Sequence, residues 1–148
     1  MFNLPLLKEY PVISTSDPAI DAEKSDIKKY SETLNRKHLA LTGEPTVFWL
    51  RPITTREWVH LISKATGTTD GDQKLEATLD TATLAVRQTL VRVENFKIGG
   101  EELVITRNDG LVDEKCIELF DFNLIMEISA ACREVSRLPS LHGDGIVA

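Results

Sequence analysis

A chain of 148 residues with 42% apolar and 27% charged side chains can bury one hydrophobic core, and it needs no metal or disulfide to hold that core together. The formal charge of −6 speaks against a general nucleic-acid surface, and no run of ~20 apolar residues is present to span a membrane. The acidic excess is local: residues 69–121 hold 12 acids against 6 bases, and the remainder holds 11 of each.

Residues 1–20 read as an extended arm. Pro5, Pro11 and Pro18 break any helix, and Ser14-Thr15-Ser16-Asp17 is loop material. The early proline, the acid and the lack of a basic start do not fit a signal peptide, so a cytoplasmic origin is expected. Yet Phe2, Leu4, Leu6, Leu7, Tyr10, Val12 and Ile13 make the arm too apolar for a solvated tail. It must pack either on a neighbouring chain or on its own domain. Residues 21–37 are mostly polar, with Ile27, Tyr30 and Leu34 spaced three and four apart. That pattern predicts a solvated helix with a thin apolar stripe, or several helical turns, with Asp21 as a cap.

Val47, Phe48, Trp49 and Leu50 are strand formers that follow the turn-like Thr42-Gly43-Glu44-Pro45. Both faces of this strand are apolar, which places it mid-sheet with cover on both sides. Pro52 cannot donate to a sheet ladder and ends it. Thr54 and Glu57 fit a capping box. Trp58, Leu61, Ile62 and Ala65 then follow at helical spacing and predict one buried stripe, with Gly67 as the stop. Trp49 and Trp58 are expected in or near the core with their indole N–H groups satisfied locally; binding a ligand or partner is the alternative. Arg51, Arg56 and His60 are expected to be solvated cations, with an anion site as the alternative.

Residues 66–72 form a loop. Asp70 and Asp72 lack the further oxygen ligands of a calcium loop, and Asp72 reads as the next helix cap. Residues 73–92 carry the longest helical pattern, through Leu75, Leu79, Ala82, Val86 and Leu90, with Val93 beyond; a core helix is expected and an interface stripe is the alternative. Gly99-Gly100 suits a two-residue hairpin turn that pairs Ile98 with Glu101, Lys97 with Glu102 and Phe96 with Leu103. One face then carries Phe96, Ile98, Leu103 and Ile105. Asn108-Asp109-Gly110 is another turn. Asp113 caps a short helix and Asp121 a longer one, on which Leu124, Ile125, Ile128, Ala131, Cys132 and Val135 keep helical spacing until Leu138-Pro139.

The expected fold is α+β: a small, mostly antiparallel sheet (about 46–51, 94–98 and 101–106) packed by three or four helices (about 54–65, 73–92, 113–120 and 121–137). An arm (1–20), one globular domain (21–139) and a tail (140–148) make up the chain. No catalytic, cofactor or metal residues are expected. Cys116 and Cys132 are 16 apart without CxxC spacing and read as buried reduced thiols. His38, His60 and His142 share no motif. Nucleophile signatures are missing, and the acids occupy turn, cap and exposed helix positions. The chain does not read as an enzyme, and no small-molecule substrate is expected.

Three segments stand in a recognisable order: FWLRPITTREW at 48–58, LVRVENF at 90–96 before the Gly99-Gly100 hairpin, and EISAACREVSRLP at 127–139. Together they resemble small proteins of tailed-bacteriophage morphogenesis clusters, including those labelled tail assembly chaperones. The resemblance implies a protein made in the host cytoplasm that works by binding other phage structural proteins or copies of itself. One form stays in the virion with its arm laid on neighbouring subunits. The other binds tail or tape-measure protein transiently and leaves. A non-viral cytoplasmic adaptor domain is the competing class. The partner-binding residues expected are Phe2, Leu4, Leu6, Leu7, Tyr10, Val12 and Ile13, and deleting residues 2–13 is expected to leave the domain folded while abolishing partner binding.

Overall fold

The structure is a computed structural model that describes residues 9–65 and 71–142. In chain order these form β1 (Tyr10–Val12), α1 (Ile27–Thr33), a 3-10 turn (Arg36–His38), β2 (Val47–Leu50), α2 (Thr55–Ala65), α3 (Gly71–Thr89), β3 (Leu90–Glu94), β4 (Lys97–Ile98), β5 (Glu101–Glu102), β6 (Arg107–Asn108), β7 (Leu111–Val112), α4 (Glu114–Ile117) and α5 (Phe122–His142). The class is α+β, as the patterning predicts.

β2 is the middle of an antiparallel three-stranded sheet of order β1-β2-β3, and both its faces are covered. Phe48 and Leu50 enter the larger core, where Val86 and Leu90, at the end of α3 and start of β3, meet Ile128 and Cys132 of α5. Val47 and Trp49 turn to a smaller cluster built from Ile13, Tyr30 and Leu39. Phe48, Phe96 and Phe120 meet edge to face at centroid distances of 6.4, 5.7 and 5.5 Å, which ties the hairpin and the end of the α4 segment to the central strand.

The sheet partners differ from the expected set. Beyond Glu94, the expected 94–98 and 101–106 segments do not extend the main sheet. They centre on a separate ribbon, β4-β5, whose pairing of Lys97 with Glu102 and Ile98 with Glu101 is the register counted from Gly99-Gly100. Those glycines have φ of +59° and +88°, as a primed turn requires. Phe96, Leu103 and Ile105 pack on the core, while Ile98 at the ribbon tip stays exposed. Asp109 and Gly110, at φ of 53° and 79°, make a second such turn between β6 and β7.

The places in the sheet go to β3 and β1. The helix expected to reach residue 92 stops at Thr89, because residues 90–94 pair with β2 instead. Leu90 and Val93 satisfy helical spacing, but a long-range ladder with a buried partner strand outweighs it. β1 takes the other edge, with Tyr10 opposite Leu50 and Val12 opposite Phe48. Two further boundaries move. Asp26, not Asp21, caps α1 by accepting from Lys29 N, and the 21–37 segment is broken into turns. α5 continues past Pro139 to His142, since an internal proline removes one helical hydrogen bond without forbidding the next turn. The caps at Asp113 and Asp121 form as expected, with Lys115 N and Leu124 N donating to their carboxylates at 3.1 and 2.7 Å.

Residues 9–20 are built into the domain. Tyr10, Val12 and Ile13 are buried in this chain's own core, which corrects their expected role as contacts to another polypeptide. The reason is the apolar second edge of β2, which the chain covers itself. Ile13 N–H donates to the Tyr30 hydroxyl at 2.6 Å, and Glu127 of α5 accepts from Thr15 N and Thr15 Oγ1 at 2.9 and 2.6 Å. A deletion of residues 2–13 therefore removes a sheet strand, and loss of folding is the outcome this packing predicts for it. Phe2, Leu4, Leu6 and Leu7 lie outside the described residues.

Tyr30 gives a direct measure of that attachment. Tyr30→Phe keeps the ring but leaves the buried Ile13 N–H without an acceptor, a loss of ~1–3 kcal/mol. Urea unfolding should show a lower midpoint with an unchanged slope. An unchanged midpoint would mean that the hydroxyl does not hold the strand.

Candidate functional site

α2 starts at a stiff corner. After Pro52, Thr54 N–H donates to Glu57 Oε1 at 3.0 Å and Glu57 N–H donates to Thr54 Oγ1 at 3.2 Å, the reciprocal capping box expected. Arg51 adds a bidentate pair to the same carboxylate at 2.9 and 2.7 Å, and Ile53 N–H donates to Ser136 Oγ of α5 at 2.8 Å. The beginning of α2 is thereby held beside the late turns of α5.

The bonds from Arg51 and Thr54 hold the Glu57 carboxyl down to about 2 from 4.5, against its partial burial. With its fork taken by Glu57, Arg51 is not available to an anion, and Arg56 and His60 are exposed. Nearby, Arg107 donates to the Leu90 and Gly110 carbonyls, and burial lowers its pKa. Burial pushes the Cys132 thiol up to about 11, so it is not a thiolate at neutral pH. Cys116 and Cys132 are both free and buried. Among the described residues, no three His, Cys, Asp or Glu side chains converge as metal ligands.

The rest of α2 departs from expectation. Its stripe is not buried as a unit: Leu61 enters the core, but Trp58 is 44% exposed, Ile62 44% and Val59 55%. α2 packs on α3 at the margin of the helical layer, and the described residues leave its outer side open. Trp58, Leu61 and Ile62 form one wall of an open groove of about 290 Å³. Ala82 and Ala85 of α3 and Ser129 of α5 are its buried small residues, with Met126 and Arg133 on the α5 side. These α5 residues continue a stripe from Phe122 at steps of four, three and four, and Phe122 is itself 49% exposed. The groove is apolar with a few polar groups, a shape suited to an apolar side chain or a helix face.

Trp49 also departs from expectation. It is half-buried, with the Arg92 guanidinium 4.4 Å from its ring centroid, but its indole N–H has no partner among the described residues. Arg92 in turn pairs with Glu94 at 2.9 Å and Glu9 at 3.5 Å, closing over the sheet surface.

Of the residues expected to contact a partner, none that is described reaches the groove. Periodicity alone puts Trp58 inside and passes over Phe122, Met126 and Arg133. The signal for these three is the second stripe on α5, offset from the core stripe of Leu124, Ile125 and Ile128. No known protein family, curated protein or solved structure matches the chain.

The Arg51–Glu57 pair sets a pH dependence. Glu57 has a lower pKa folded than unfolded, so its contribution is fully present above about 4.5 and is lost as pH falls towards 2. With both side chains mostly but not fully buried, the contribution is on the order of 2 kcal/mol after allowing for screening. Wild type and Glu57→Gln should therefore differ by that amount in urea unfolding near neutral pH and converge on acidification. A difference that does not change with pH would overturn this assignment.

Proposed function

We propose that the chain is a non-enzymatic assembly protein that acts through protein–protein contacts in tailed-phage morphogenesis. The single observation that carries the contact reading is the half-exposed Trp58 at the wall of an apolar groove. A tryptophan left half in water beside other exposed apolar residues contributes little to folding. Such residues are typical anchors of protein interfaces. The morphogenesis setting comes from the three segments at 48–58, 90–96 and 127–139, two of which supply groove residues. The working surface moves with this reading, from the leading arm to α2 and α5. In the virion form the groove holds a neighbouring subunit permanently; in the chaperone form it holds tail protein until assembly is complete.

Trp58→Ser is expected to cost ~1 kcal/mol of stability, because only about half of the ring is buried. It should nevertheless remove the chain from its complexes by tenfold or more in affinity. Mass spectrometry of purified particles, and of complexes drawn from infected cells with the tagged chain, gives the readout. Recovery in particles identifies the virion form. Recovery only in complexes with tail proteins identifies the chaperone form. Failure to find any phage structural protein with the wild-type chain would overturn the proposal.

A further inference from the structure

We infer that a second cleft, between α3, α4 and the early turns of α5, docks a basic amphipathic helix of another protein. This goes beyond the assembly reading and does not rest on it. The cleft shares no lining residue with the groove at Trp58, because Leu79 sits on the other flank of α3 from Thr81 and Ala85. Its walls are apolar: Leu79, Ile117, Phe120 and Ile125 border a space of about 250 Å³. That is smaller than the ~300–1,000 Å³ of a typical small-molecule site, and it suits an apolar side chain. Leu119, the chain neighbour of Phe120, is 47% exposed, so apolar surface continues beside the cleft.

The charge of the cleft selects the occupant. Its ionisable lining groups are two carboxylates, Glu114 and Glu118. Glu114 is already engaged by Arg87 at 3.3 Å, and the Arg87 Nε–H donates to the Val112 carbonyl. Glu118 is exposed and makes no ion pair with a described residue. Nearby in the chain, Asp113 and Asp121 serve as caps, and Lys115 is the lone base from 113 to 121. An acidic occupant would set like charges beside Glu118. A wholly apolar one would take water from that carboxylate and return nothing. A lysine or arginine one helical turn from the apolar anchor meets it instead. The lining comes from helices and the turn between α4 and α5, with no open strand edge. An incoming strand would find no ladder to join, whereas a helix brings its own backbone hydrogen bonds.

Short synthetic peptides labelled with fluorescein test this on the full chain. A helical peptide of leucine and lysine should bind in fluorescence anisotropy, more weakly as salt rises. Versions with serine in place of leucine, or glutamate in place of lysine, should bind about tenfold more weakly or worse. Glu118→Lys should weaken the leucine–lysine peptide about tenfold and let the leucine–glutamate peptide bind, since the repulsive element has changed sides. Glu23→Lys makes the same charge change at an exposed residue outside the cleft and should leave binding unchanged. Thr83→Phe puts a ring into the cleft and should abolish binding. No binding of the leucine–lysine peptide, equal binding of the serine–lysine peptide, or equal losses in Glu118→Lys and Glu23→Lys would each overturn the inference. Loss of binding in Trp58→Ser would place the peptide in the other groove and overturn it as well.

Discussion

The structure depends on a four-residue strand that cannot show either face to water. Phe48 and Leu50 need one apolar layer and Val47 and Trp49 need another, so β2 has to be enclosed from both sides and paired on both edges. The larger layer is supplied by α3 and α5, the smaller by the α1 region. The two edges are filled by segments from distant parts of the chain: Tyr10–Val12 and Leu90–Glu94. Filling the first edge draws the apolar leading segment into the domain. Filling the second ends a long helix immediately before the strand begins.

The corner at the end of β2 sets the course of the next helix. Pro52 stops the ladder, and the Arg51–Glu57 pair together with the capping box turns the chain into α2 at once. The bond from Ile53 to Ser136 then holds the start of α2 beside α5, and the helix runs on to pack against α3. A helix held so near its first turn has little freedom in what it covers. Leu61 reaches the core, and Trp58 is left at the open margin beside Met126 and Arg133. The groove is thus a consequence of how the strand ends, and the ion pair at the corner stands apart from it as a support.

How legible each feature is in the sequence depends on its range. The Thr54–Glu57 box, the caps at Asp113 and Asp121, and the register about Gly99-Gly100 all involve residues a few positions apart, and all four are readable from the residues alone. The mid-sheet character of β2 is readable too, because a strand with two apolar faces has few other places to lie. The end of α3 is not: Leu90 and Val93 fit a helical period and a strand equally, and only a partner strand separates the two. Tyr10, Val12 and Ile13 show that they need cover without showing whose. The groove is the least legible feature, since its residues come from three helices.

The sequence by itself determined the local stereochemistry of this protein: where helices start, where a strand must end, which turns need glycine, and which stripes are apolar. Each of these is settled by bond geometry and hydrogen bonding within a few residues. Only the tertiary structure decided which apolar stripes are satisfied. Periodicity states that Trp58 and Phe122 would gain from burial, but burial also needs a facing surface. The described fold gives its facing surfaces to β2 first and leaves these two half in solvent.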